Sequence, residues 1–216
     1  MAEDFFDACE QTVRRHDPDR YFAALFAPEA QRRHLFVLAA LYYELAHVSA
    51  SVREPMIGAI RFAWWRETVE GARAGKPREH VVAKALAQTF AEHDLPQALF
   101  DTLIEGWNAL QDLAPDEAVA NAEARIGALM RLGAMVCGVP DIDCRDAAIA
   151  YGLAGQSEHA ALAQTHYNVA RKKRIPKAVL PVVMPASLTP LYLKRADPPL
   201  WRKQIAYLRC AVTGKI

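Results

Sequence analysis

Along the first 166 residues, apolar side chains recur at steps of three and four, the repeat that lines one face of an α-helix. Leu35, Leu38, Leu41, Leu45 and Val48 form the clearest such run. Alanine, the best helix former and small enough for close helix contacts, is frequent throughout. Asp17-Pro18 stops a first helix over about 3–15, and Ala27-Pro28 precedes the third. Pro55 suits the first turn of another helix, which runs to about Ala74 before Gly75-Lys76-Pro77. Asp94 with Pro96 opens the next, and Pro115-Asp116 the one after. Gly138-Val139-Pro140 closes that helix, and Asp143 with Asp146 caps its successor. Val179–Met184 is apolar, but Pro176, Pro181 and Pro185 argue against a central strand. Residues from about 167 to 198 therefore read as extended and irregular, followed by an amphipathic helix from about Pro199 to Val212. The expectation is an all-α chain of seven or eight helices. Residues 1–166 would form the helical core, with 167–216 a basic loop and terminal helix packed on or extending the same domain.

Composition narrows the class. Hydrophobic residues make up 52% and charged residues 24% of the 216, which suits a folded core and not a disordered chain. Cys9, Cys137, Cys144 and Cys210 lie far apart with no C-x-x-C pair, so neither a zinc framework nor a disulfide scaffold is expected. The acidic Met1-Ala2-Glu3-Asp4 is unlike a secretory leader, and no apolar run approaches the roughly 18 residues of a membrane span. A cytoplasmic protein is expected, with the inner face of a membrane as an alternative peripheral location. The net charge of +1 hides a division: residues 171–216 hold eleven Lys and Arg against Asp197 alone, and the rest of the chain is correspondingly acidic. Such halves attract each other or a partner. With Tyr192, Trp201 and Tyr207 in the basic part, an anionic membrane surface is a candidate partner for 171–216. Nucleic acid is not, since total charge is near zero and no groove-reading motif is present.

Few constellations carry chemistry. There is no G-x-S-x-G, no phosphate-binding glycine loop, and no His within a helical turn of a cysteine. Gly152-Leu153-Ala154-Gly155 lies in a helical stretch and is expected to permit close packing. Glu44-x-x-His47 supplies one half of a di-iron pattern that needs two, so a local interaction is the better reading. His47 and His159 read best as core histidines. The pair Trp64-Trp65, with Arg61 and Arg66, offers a grip for an anionic or prenyl ligand, although mid-helix aromatics are more often core.

The stretch Tyr21-Phe22-Ala23-Ala24-Leu25-Phe26-Ala27-Pro28, then Arg32-Arg33 and Leu35–Tyr42, resembles the opening of the squalene/phytoene synthase family. Glu54-Pro55-Met56-Ile57-Gly58, Ile60-Arg61 and Trp64-Trp65-Arg66 resemble the subgroup that includes a mitochondrial complex I assembly factor. Similarity continues through Ala124–Gly138, Tyr151–Gln156 and the Arg174-Ile175-Pro176 loop. The resemblance implies an isoprenoid-synthase-like helical bundle, here shortened at the C-terminus. It also implies two acidic motifs that hold magnesium against a diphosphate. Aligned on Ala40-Leu41, the first motif falls on Ala46, His47 and Ala50, and the second on His159, Leu162 and Ala163. Neither set resembles the family's acids.

Glu44 and Glu158 are the acids left nearby, and Arg171, Lys172, Lys173 and Arg174 would lie near the cavity mouth. The resemblance therefore implies a non-catalytic binding or assembly factor with a protein partner in respiratory complex biogenesis, and no cofactor. Two alternatives stay open. One is an active prenyltransferase joining two allylic diphosphates with Mg²⁺ through Glu44, Glu158 and the basic cluster. The other is a protein that binds a prenyl lipid without catalysis.

Overall fold

The computed structural model describes residues 4–52, 54–108 and 113–216, with no strand among them. Its helices are α1 (Phe5–His16), α2 (Pro18–Ala24), α3 (Glu29–Ser51), α4 (Pro55–Arg73), α5 (Val81–Glu92) and α6 (Gln97–Asn108). After these come α7 (Pro115–Ala122), α8 (Ala128–Val136), α9 (Arg145–Leu153) and α10 (Ala160–Ala170). The last are α11 (Leu180–Val183), α12 (Thr189–Tyr192) and α13 (Leu200–Thr213). A π-turn over Glu123–Gly127 joins α7 to α8 without a break.

Helix α3 is the axis. From His34 to Tyr42 every side chain is buried, so the helix is enclosed on all faces and not on one stripe. Helices α1, α2, α4, α5, α6 and α8 surround it. The expected starts after Pro28, Pro55, Pro96 and Pro115 hold to within a residue or two. Helix α5 has no such start signal in the sequence, because its cap is His80, whose Nδ1 accepts the Val82 N–H at 3.2 Å.

Three expectations are corrected. The described residues form thirteen α-helices where seven or eight were expected. Asp143 and Asp146 do not cap α9, whose N-cap is Cys144 without a side-chain bond. Both carboxylates instead accept from Lys173, at 2.7 and 2.9 Å. Nor is 167–198 extended: α10 continues to Ala170, and Lys177–Tyr192 folds into successive short helical turns. Pro181, Pro185 and Pro190 each occupy the first turn of one of these, where a fixed φ and a missing N–H do no harm. Prolines that forbid a central strand thus start helices, and Val179, Leu180, Val183, Met184 and Leu188 join the core.

Candidate functional site

At the centre of the bundle, α2 delivers two charged neighbours into the interior. Asp17 caps α2 by accepting the Arg20 N–H at 3.1 Å and also pairs with the Arg20 guanidinium. That guanidinium lies 4.1 Å over the Tyr42 ring of α3 and 5.6 Å from Tyr151 of α9. Asp19, on the next face, accepts from Lys203 Nζ at 2.9 Å, from Tyr151 at 3.1 Å and from the Tyr192 hydroxyl. Burial, then the Asp19 charge, pushes the Tyr192 phenol well above its ordinary value, so it stays a donor. Arg125, on the π-turn, is buried 4.7 Å over the Trp107 ring and donates to Asn121 at 2.7 Å. Asn121 in turn donates to the Gly106 carbonyl at 2.6 Å. A Cβ on Gly106 would stand 2.7 Å from Arg125 Cγ, so only glycine lets α6 and the π-turn meet there.

Arg20 and Tyr151 form the polar end of an otherwise apolar cavity whose walls include Leu35, Leu38, Ile126 and Leu129. Its volume is about 40 Å³, room for a water molecule or so. A second cavity of about 170 Å³ lies between Asp143, Lys173, Arg174 and Val183.

The residues singled out from sequence are dispersed. Ala46 is half-buried, while His47 and Ala50 are exposed at the end of α3. His47 stacks on Tyr43 with ring centroids 6.0 Å apart, and so is not the core histidine expected. Glu44 is half-buried near Cys9 of α1. Burial, and then the Glu44 charge, pushes that thiol up to about 12. His159 is buried and Leu162 half-buried, and Ala163 packs among Ala118, Ala122, Ile149 and Leu153. Glu158 is exposed, and its carboxyl is held low by its own backbone N–H and then by Ser157. Residues 46, 50, 159 and 163 line neither cavity.

These positions do not fit magnesium. Alanine and leucine offer no oxygen, imidazole is a poor ligand for so hard a cation, and neither Glu44 nor Glu158 lines the central cavity. Among the described residues, the one grouping with metal-ligand spacing is His34, Glu92 and His93, away from both motifs. There the Arg33 guanidinium already holds Glu92, at 2.6 and 2.7 Å, and reaches His34 Nε2 at 3.2 Å.

Trp64 and Trp65 part company. Trp65 is 3% exposed and belongs to the core, whereas Trp64 is 36% exposed beside Arg61 and under the Arg78 guanidinium. With Met56, Ile57 and Ile60 it makes an exposed apolar stripe along the first half of α4. In the basic loop, Arg171, Lys172 and Arg174 are exposed, while Lys173 is bound to Asp143 and Asp146. Sequence reasoning missed Asp19, Arg20 and Lys203. An acid directly before an arginine in a short helix opened by Asp-Pro was the available signal, and it does not reveal partners more than 100 residues away.

Comparison with known proteins places this geometry. The family model for squalene/phytoene synthase matches residues 13–156. Human NADH dehydrogenase (ubiquinone) complex I, assembly factor 6 is 29% identical over 172 residues, and its mouse counterpart 31% over 169. Each match takes in 76% of this chain and 50% of the relative, so the chain spans about half the length of these curated proteins. A ligand-bound dehydrosqualene synthase superposes with a TM-score of 0.70 at 10% identity, covering 95% of this chain and 94% of that one. Squalene synthase HpnC from Alicyclobacillus acidocaldarius gives 0.68 at 16% identity, with 97% and 94% covered. At such identities these structures speak for the fold alone.

Proposed function

Since the chain belongs to the squalene/phytoene synthase family, we propose that it keeps the family's helical shell without its chemistry and serves as an assembly factor for respiratory complex I. The observation that carries this reading is the residue set at the motif positions: a diphosphate leaving group needs carboxylate-held magnesium, and Ala46, His47, Ala50, His159, Leu162 and Ala163 offer no carboxylate. The central cavity beside Arg20 and Tyr151 gives no substitute site, since about 40 Å³ is roughly a tenth of an ordinary small-ligand pocket. The partner is taken from the relatives' names. Its docking surface on this chain is the α4 stripe of Met56, Ile57, Ile60 and Trp64, too apolar to be left to water without use.

The test joins two measurements. Affinity purification of the full chain from its native source should recover complex I subunits or assembly intermediates, and Ile60→Glu should lose them while leaving the melting temperature unchanged. Incubation of the same protein with farnesyl or geranylgeranyl diphosphate and Mg²⁺ should give no turnover. Magnesium-dependent product would overturn the non-catalytic reading, and recovery of no respiratory subunit would overturn the partner.

A further inference from the structure

Helix α13 divides its side chains between two opposed faces. Inward, Lys203 bonds Asp19, the Tyr207 hydroxyl donates to the Asp19 backbone carbonyl at 2.9 Å, and Cys210 is fully buried. Outward, Trp201, Ile205, Leu208 and Val212 follow one another at steps of four, three and four residues. All four lie between 55% and 85% exposed. The apolar surface continues beyond the helix. Leu25 and Phe26, exposed where α2 ends, face Leu208 across an open groove of about 350 Å³. Scattered exposed apolar residues are normal, but an ordered stripe that runs the length of a helix and extends onto a second element is not.

Charge says what covers it. Arg202 and Arg209 are exposed along one border of the stripe, with the Arg202 guanidinium 5.1 Å over the Trp201 ring. Lys194, Arg195 and Lys215 are exposed at the two ends, and no acidic residue occurs from Pro198 to Ile216. An apolar face with an indole and a one-signed cationic border is the pattern of a helix lying in a lipid interface. A second copy of the same face would set cations against cations. We propose that α13, with Leu25 and Phe26, docks on a bilayer surface carrying anionic headgroups. The apolar stripe would sink below the headgroup level while Arg202 and Arg209 meet lipid phosphates. The rest of the basic segment contributes unequally: Lys173 is already paired with Asp143 and Asp146, and Lys203 is buried against Asp19. Membrane docking through α13 is independent of the assembly role and of its partner.

Flotation of the full chain tests it. The protein should float with vesicles of phosphatidylglycerol and cardiolipin, stay behind with vesicles of phosphatidylcholine, and lose affinity as salt is raised. The double variant Ile205→Glu, Leu208→Glu should remain unbound. Arg202→Gln with Arg209→Gln should weaken binding by roughly tenfold or more, as expected for two interfacial basic residues. All four side chains are exposed, so the melting temperatures should match the parent. Absence of flotation, equal flotation on phosphatidylcholine, or unaltered binding by the variants would overturn the proposal. So would a concentration-dependent dimer broken by the double glutamate variant without any vesicle binding, which would assign the face to a second copy.

Discussion

His34 is a basic side chain with no exposed surface, set at 3.2 Å from the Glu92 carboxylate. Its Nδ1 shares a 3.0 Å hydrogen bond with the Thr89 hydroxyl, and its Nε2 lies 3.2 Å from both the Glu92 carboxylate and Arg33 Nε. A neutral ring is what the site wants. Burial, then the neighbouring His93, lowers its pKa from 6.5 to about 4. Because the folded value lies below the unfolded one, the unfolded chain takes up a proton first as the medium is acidified. Stability that is complete above pH 6.5 therefore declines through the interval down to about 4, by ~3 kcal/mol in all. Glu92, where the Arg33 and His34 contacts outweigh its slight burial, acts with the same sign at lower pH. Thermal melts from pH 7 to about 4 should fall steeply for the native chain and markedly less for His34→Gln. Equal slopes would show that the ring is not held neutral.

At the scale of elements, what the sequence made legible was set by local rules, and what it hid was set by distant ones. Starts at Pro28, Pro55 and Pro115 could be read because proline and its neighbours act within one turn. The start of α5 at a histidine cap, and the turns of Lys177–Tyr192, could not. The first uses an unusual capping group, and in the second the prolines admit two conformations between which burial against α2 and α8 decides. The candidate site divides in the same way. The side chains at the positions where the resemblance puts the family's acids were visible, whereas the Arg20–Asp19 centre, whose partners lie on α3, α9, α12 and α13, was not. Close packing at Gly152-Leu153-Ala154-Gly155 was half right. A Cβ at Gly152 would stand 2.9 Å from Ala122 Cβ and 3.2 Å from Ile126 Cγ1, so glycine lets α9 lie against α7 and the π-turn. Gly155 has open space around it. Gly152→Ala should destabilise by about 1–3 kcal/mol through overpacking, and Gly155→Ala should stay within about half of one. A chemical-denaturation midpoint that moved equally for both would refute the close approach.

Over the whole molecule, the acidic first part and the basic last part meet in a few specific contacts and not as a diffuse attraction. Lys173 draws α10 and the loop after it onto Asp143 and Asp146. Lys203 ties α13 to Asp19, across 184 residues of chain. The second contact is the more demanding, since the side chains are only 12% and 7% exposed. Water is largely excluded there, and each charge depends on the other for its solvation. Removing one partner should therefore cost far more than the pair is worth. Asp19→Ala and Lys203→Met should each destabilise by roughly 3–5 kcal/mol, the first leaving a buried ammonium and the second a carboxylate held only by phenols. The double variant leaves neither and should fall well short of the two losses added together. The same contact sets the rotation of α13, because Lys203 fixes which face turns inward and so leaves Trp201, Ile205 and Leu208 facing out. Limited proteolysis should follow the energetics: cleavage after the exposed Lys194 and Arg195 accelerates in either single variant and largely recovers in the double. Strictly additive single losses would mean that Asp19 and Lys203 act separately and that packing around Tyr207 alone holds the last helix in place.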